Sequence, residues 1–145
     1  MKISKLEKDE VEIQIQILLS FLDPTTYRFA LQPRYTGVHS KGEIWAAFLL
    51  EAYWNCLELV GFNSDWLHGN GRNNMFLRNV VDGLKLQPCR PSFLDARDAI
   101  LLADTMNHKS RLVCAIWKGF AKRGLGHRAG PDGKEDFSIP PTCLD

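Results

Sequence analysis

The stretch VHSKGEIWAAFLLEAYWNCLELVG, residues 38–61, decides the fold. Its apolar residues Ile44, Trp45, Phe48, Leu49, Ala52, Tyr53, Cys56 and Leu57 recur at spacings of three and four. Such spacing puts them on one broad face of an α-helix. Gly61 follows the last of the periodic residues, where a helix ends readily because glycine accepts a left-handed backbone. So wide a stripe predicts a central helix packed on more than one side.

Three more helices follow from the same logic. Met75, Phe76, Val80, Val81 and Leu84 mark a second, after the Gly69-Asn70-Gly71 loop and before Pro88. A third opens at Ser92, where Ser92 and Asp95 have the spacing of a capping box. Its expected core face is Leu94, Ala99, Ile100 and Ala103, with Phe93 at the entry. The fourth is expected to start between Asn107 and Ser110 and to carry Leu112, Val113, Ile116, Trp117 and Phe120. Lys122-Arg123-Gly124 supplies the cations and glycine that favour a helix C-terminus. Upstream, Val11–Ile17 alternates as a strand would, but the segment around it also suits an amphipathic helix. The expected fold class is all-α, a bundle of about four helices.

Composition narrows the function. With 145 residues, 45% of them hydrophobic and 24% charged, the chain suits one folded domain rather than a disordered segment. A formal net charge of +1 lacks the basic excess of nucleic-acid binders, so neither nucleic acid nor a membrane surface is an expected partner. No apolar run is long enough to span a bilayer, and residues 1–21 do not read as a signal peptide.

No HExxH, nucleophile elbow or Walker loop occurs in the sequence. The histidines, His39, His68, His108 and His127, lie too far apart for a helical pair of metal ligands. For His68, His108 and His127 the ordinary reading is a surface or hydrogen-bonded structural residue. Glu43 reads as a solvated carboxylate in a first helical turn, Asp95 as a cap, and Asp98 and Asp104 as partners of Arg97 and nearby cations. The basic run Lys118–Arg128 reads as a solvated helix face with its C-cap. The four cysteines, Cys56, Cys89, Cys114 and Cys143, allow three complete pairings, and free buried thiols are equally compatible.

Two longer runs carry a resemblance. One is Leu86 to Asp104 (LQPCRPSFLDARDAILLAD), continued by Cys114 to Trp117 and by Phe120 to Gly126. The other is Tyr35 to Ala46 (YTGVHSKGEIWA). Together with Asn55 they resemble the end of the fungalysins, fungal extracellular zinc metalloendopeptidases related to thermolysin. The resemblance covers residues 23–126, leaving 1–22 unmatched and 127–145 as an expected loose tail. It implies the C-terminal helical subdomain of a thermolysin-like peptidase, in which His39 donates a hydrogen bond to the oxyanion of the tetrahedral intermediate. It also implies a Cys89–Cys114 disulfide and a secreted, oxidising setting.

In the family the zinc ligands and general base come from an HExxH helix and a later glutamate, which precede the matching region. This chain alone is therefore expected to hold no zinc and to be inactive, as a truncated peptidase acting on peptide or protein substrates only with an N-terminal catalytic part. The alternative is a non-catalytic helical interaction module or pseudoenzyme.

Overall fold

The computed structural model describes residues 23–65 and 68–144. The alternating Val11–Ile17 segment lies outside them. The central helix, α1, spans Val38–Val60. Ile44, Phe48, Ala52 and Cys56, four residues apart, form one completely buried row, and Trp45, Leu49 and Tyr53 flank it. Gly61 ends the helix at φ 82°, donating its N–H to the Leu57 carbonyl at 2.7 Å. Helices α2 (Arg72–Leu86), α3 (Phe93–His108) and α4 (Val113–Lys122) follow. Short 3-10 turns precede α1 at Tyr27–Leu31 and Pro33–Tyr35, and another lies at Pro141–Cys143. Among the described residues there is no β-strand, only an isolated bridge between Leu125 and Asp136. The chain is all-α.

Two glycines allow the closest helix crossings. A Cβ on Gly119 of α4 would stand 2.4 Å from the backbone of Ala52, so α4 lies directly on α1. A Cβ on Gly83 of α2 would meet Ile100 of α3 at 2.9 Å. Between α1, α3 and α4 the aromatic rings of Trp45, Phe48, Phe93 and Phe120 pack with centroids 5.7–6.5 Å apart, mostly edge to face.

The helix ends show how side chains direct the path. Ser92 and Asp95 form the capping box of α3, the Asp95 N–H donating to Ser92 Oγ and the Ser92 N–H to Asp95 Oδ2. The fourth helix begins later than expected, at Val113, because α3 runs on to His108. Lys109 and Ser110 then adopt left-handed conformations and donate their N–H groups back to the Asp104 carbonyl. Asp104 is not a partner of Arg97. It is fully buried, accepting from Asn79 Nδ2 of α2 and from the Leu112 N–H that leads into α4, both at 2.8 Å. One carboxylate thus ties three helices together. Asp98 does pair with Arg97, at 2.8 Å.

The segment after Gly126 is held rather than loose. Gly126 and His127 donate N–H bonds to Asp136 and Ser138 carbonyls, and Tyr27 Oη donates to the Gly130 carbonyl. Cys143 pairs with Cys114, Cα to Cα 5.3 Å, which corrects the expected Cys89–Cys114 bridge; Cys89 is a free, exposed thiol. The reason is the length of α3. Its 16 residues rise about 24 Å. Cys89 precedes one end, while Asp104 brings the start of α4, with Cys114, to the other. A disulfide requires Cα atoms within about 7 Å.

Two stability predictions follow. Asp104→Ala strands two buried donors, so urea denaturation should show a loss of about 3 kcal/mol. Cys143→Ser should cost roughly 3 kcal/mol through the freed loop, whereas Cys89→Ser should leave the midpoint unchanged. Equal losses from both cysteine variants would contradict the observed pairing.

Candidate functional site at the head of the central helix

The chain enters α1 through the turn at Pro33–Tyr35 and Gly37, whose carbonyl accepts the Lys41 N–H at 3.1 Å. Gly37 has no side chain to cap the helix, so the first-turn N–H groups are left without a side-chain acceptor from the cap position. Val38 is 80% exposed and His39 beside it is also exposed. The His39 imidazole makes no hydrogen bond or ion pair to the described residues. An imidazole carries an N–H whether neutral or protonated, so His39 can donate a hydrogen bond. Glu43, one turn on, is exposed as expected.

The other histidines stand apart from it. His68 pairs with Asp65 at 3.7 Å. His108 closes α3, and His127 meets the ring of Trp117 edge-on, 5.6 Å between centroids. Among the described residues no group of three or more His, Cys, Asp or Glu is placed to hold a metal ion. The described donors therefore do not fit zinc. No helix among the described residues is long and apolar enough to cross a membrane.

What sequence reading missed is a set of buried charges that ties α1 to α4. Glu51 of α1 is buried, 5% exposed, and takes Arg123 at 2.9 Å and Lys122 at 2.7 Å. Arg123, expected to be a solvated cap residue, is itself 5% exposed. Its Nη1 donates to the carbonyls of Asp23 and Thr25, and its own carbonyl accepts the Tyr27 N–H. The segment leading to α1 is thereby fastened to the end of α4. Arg97 does the same for the chain beyond α4, donating to the Leu125 and Gly126 carbonyls with its guanidinium 4.7 Å over Trp117. A signal existed: Glu51 adjoins Ala52 on the apolar face of α1, where a carboxylate needs a buried partner.

Three acids are tuned by hydrogen bonds. Burial works to raise the Asp136 carboxyl, but the Ser138 hydroxyl and the N–H groups of Arg128 and Ser138 hold it below the usual range. The Ser92 hydroxyl and N–H lower Asp95, and Lys85 with Asn107 lowers Asp82. Burial pushes the Tyr27 phenol up. An acid depressed in the folded state contributes stability that is complete above its unfolded pKa and is lost as pH falls through the folded one. The urea midpoint should therefore hold from pH 7 to about 5 and fall below about 4. Asp136→Asn should lower the midpoint at pH 7 and make the acid slope shallower. An unchanged slope would show that Asp136 is not depressed.

Fold and site together define an all-α unit that presents one unpartnered histidine at the head of its longest helix. The chain belongs to the fungalysin metallopeptidase family: the model described as Fungalysin metallopeptidase (M36) matches residues 19–129. This is a family of zinc metallopeptidases. Among similar proteins, an "Extracellular metalloproteinase mep" of Aspergillus terreus is 48% identical over 113 residues, 74% of this chain and 18% of the relative. An "Extracellular metalloproteinase" of Pyrenophora tritici-repentis is 45% identical over 103 residues, 66% of this chain and 16% of the relative. An "Extracellular metalloproteinase 3" of Arthroderma otae is 34% identical over 144 residues, 93% of this chain and 23% of the relative. The chain thus spans 16–23% of the length of these curated relatives.

Proposed function

We propose that this chain is the helical part of a fungalysin-type extracellular zinc metalloendopeptidase and acts on peptide bonds through His39. The observation that carries this reading is the exposed, unpartnered imidazole on the first turn of α1, inside the Tyr35–Ala46 run that resembles the family. In such a peptidase a zinc ion held by other residues would supply water activation and carbonyl polarisation. Its ligands and the general base come from polypeptide outside the described residues. His39 donates to the oxygen that gains charge as water adds to the carbonyl, and it is strongest there because the charge develops only in the transition state. The rigid backing of α1 by Glu51, Arg123 and the aromatic cluster keeps that donor in place.

The test has two parts. The purified chain alone should bind no stoichiometric zinc and cleave no peptide; chelator-sensitive cleavage by the chain alone would overturn this division of labour. Combined with the HExxH-bearing remainder of a relative and zinc, it should cleave, and His39→Ala should lower kcat by about 10²–10³ with little change in KM. Cleavage undiminished in His39→Ala would remove the assigned role.

One observation favours a second reading, a non-catalytic module that docks on another polypeptide. Val38, Leu84, Leu31 and Val81 are all more than half exposed. Under that reading the chain would form a stoichiometric complex in sedimentation without any gain of cleavage.

A further inference from the structure

The loop Gly69-Asn70-Gly71, which leads into α2, contains the one Asn-Gly pair of the sequence. Asn70 also differs from the other asparagines in its surroundings. Asn73 exchanges two hydrogen bonds with the backbone of Asn63, at 3.0 and 2.8 Å, and Asn63 Oδ1 accepts the Asp65 N–H. The Asn74 amide donates to the Asp65 carbonyl, Asn79 to Asp104, Asn107 to Asp82 and Asn55 to the Ala115 carbonyl. Asn70 is exposed, and its carboxamide has no hydrogen-bond partner among the described residues. The Gly71 N–H has no acceptor among them either, although the Gly71 carbonyl takes the Met75 N–H at 3.0 Å.

Gly71 has no room for a side chain. A Cβ on it would stand 2.4 Å from Asn63 Cβ and 2.6 Å from Asn73 Oδ1. Packing therefore fixes a glycine after Asn70, and a glycine leaves its own nitrogen unshielded by a Cβ. The local charge is positive. Gly71 is the N-cap of α2, whose first turn holds no acid, and helix N-termini carry partial positive charge. Asn70 also lines a cavity of about 760 Å³ together with Arg78, Lys85 and Arg111. The one acid in its wall, Asp82, is taken up by Lys85 at 2.7 Å and, less closely, by Arg78 at 3.6 Å. Arg111 has no ion-pair partner among the described residues.

We propose that Asn70 is a site of spontaneous deamidation, in which the Gly71 nitrogen attacks the Asn70 carboxamide. The nitrogen bonds to Asn70 Cγ and closes a succinimide ring. The Cγ–Nδ2 bond breaks, and the amide leaves as ammonia, taking the proton lost from Gly71. Water then opens the ring at either carbonyl, giving aspartate or isoaspartate. The positive surroundings assist, because they stabilise the deprotonated nitrogen and the oxyanion formed at Cγ. The aspartate product sets a carboxylate beside the head of α2, where the helix favours it. Isoaspartate instead adds a methylene to the main chain and displaces Gly71 from its fit against Asn63.

The test ages the full, folded chain in mildly alkaline buffer and maps it by peptide mass spectrometry, with isoaspartate labelled by an isoaspartyl methyltransferase. Amide loss at Asn70 should outrun that at every other asparagine by about tenfold or more. Asn70→Gln, whose longer side chain would have to close a larger ring, should abolish the product at this position. Arg78→Gln combined with Arg111→Gln should slow conversion about threefold, the scale of exposed charge effects. Should that variant misfold, high salt screens the same charges in the parent chain and should slow conversion likewise. Conversion at Asn70 no faster than at the hydrogen-bonded asparagines, or conversion only in the urea-unfolded chain, overturns the proposal. A rate unmoved by both the arginine changes and salt overturns the part given to the cavity.

Discussion

A buried ion pair joins the middle of the central helix to the end of α4. Glu51 and Arg123 are each about 95% removed from solvent and meet at 2.9 Å. An isolated charge in such a place would carry a desolvation cost of several kcal/mol, so neither residue is tolerable without the other. The arrangement goes further than charge balance, because the remaining Arg123 donors reach the carbonyls of Asp23 and Thr25. The guanidinium therefore joins α1, the end of α4 and the chain that leads into α1.

Asp104 plays the matching part at the other end of the bundle. It binds α2 through Asn79 and aligns the start of α4 through the Leu112 N–H. Between these two polar ties the core is apolar and aromatic, and Gly119 and Gly83 let the helices approach until backbone meets side chain. Packing of this kind resists small displacements of the helix that carries His39. The disulfide between Cys114 and Cys143 and the hydrogen bonds of Asp136 then fold the C-terminal segment back onto α4.

Much of this was legible in advance. The bounds of α1, the capping box of α3 and the all-α class follow from spacing and local chemistry. The start of α4 was misplaced because nothing local marks Lys109 and Ser110 as left-handed; the Asp104 carbonyl and carboxylate impose that turn. Arg123 looked like a C-cap cation because its partner lies 72 residues away. The cysteine pairing failed for the same kind of reason, since the separation of Cys89 from Cys114 depends on the helix lying between them.

The sequence by itself determined which segments are helical, because apolar period and caps act over three to five residues, and it contained the runs by which the family is known. Tertiary structure decided which charges are buried and which cysteines meet. Those outcomes depend on which surfaces face one another across the bundle. That is settled by the way all four helices pack together, and no stretch of sequence specifies it alone.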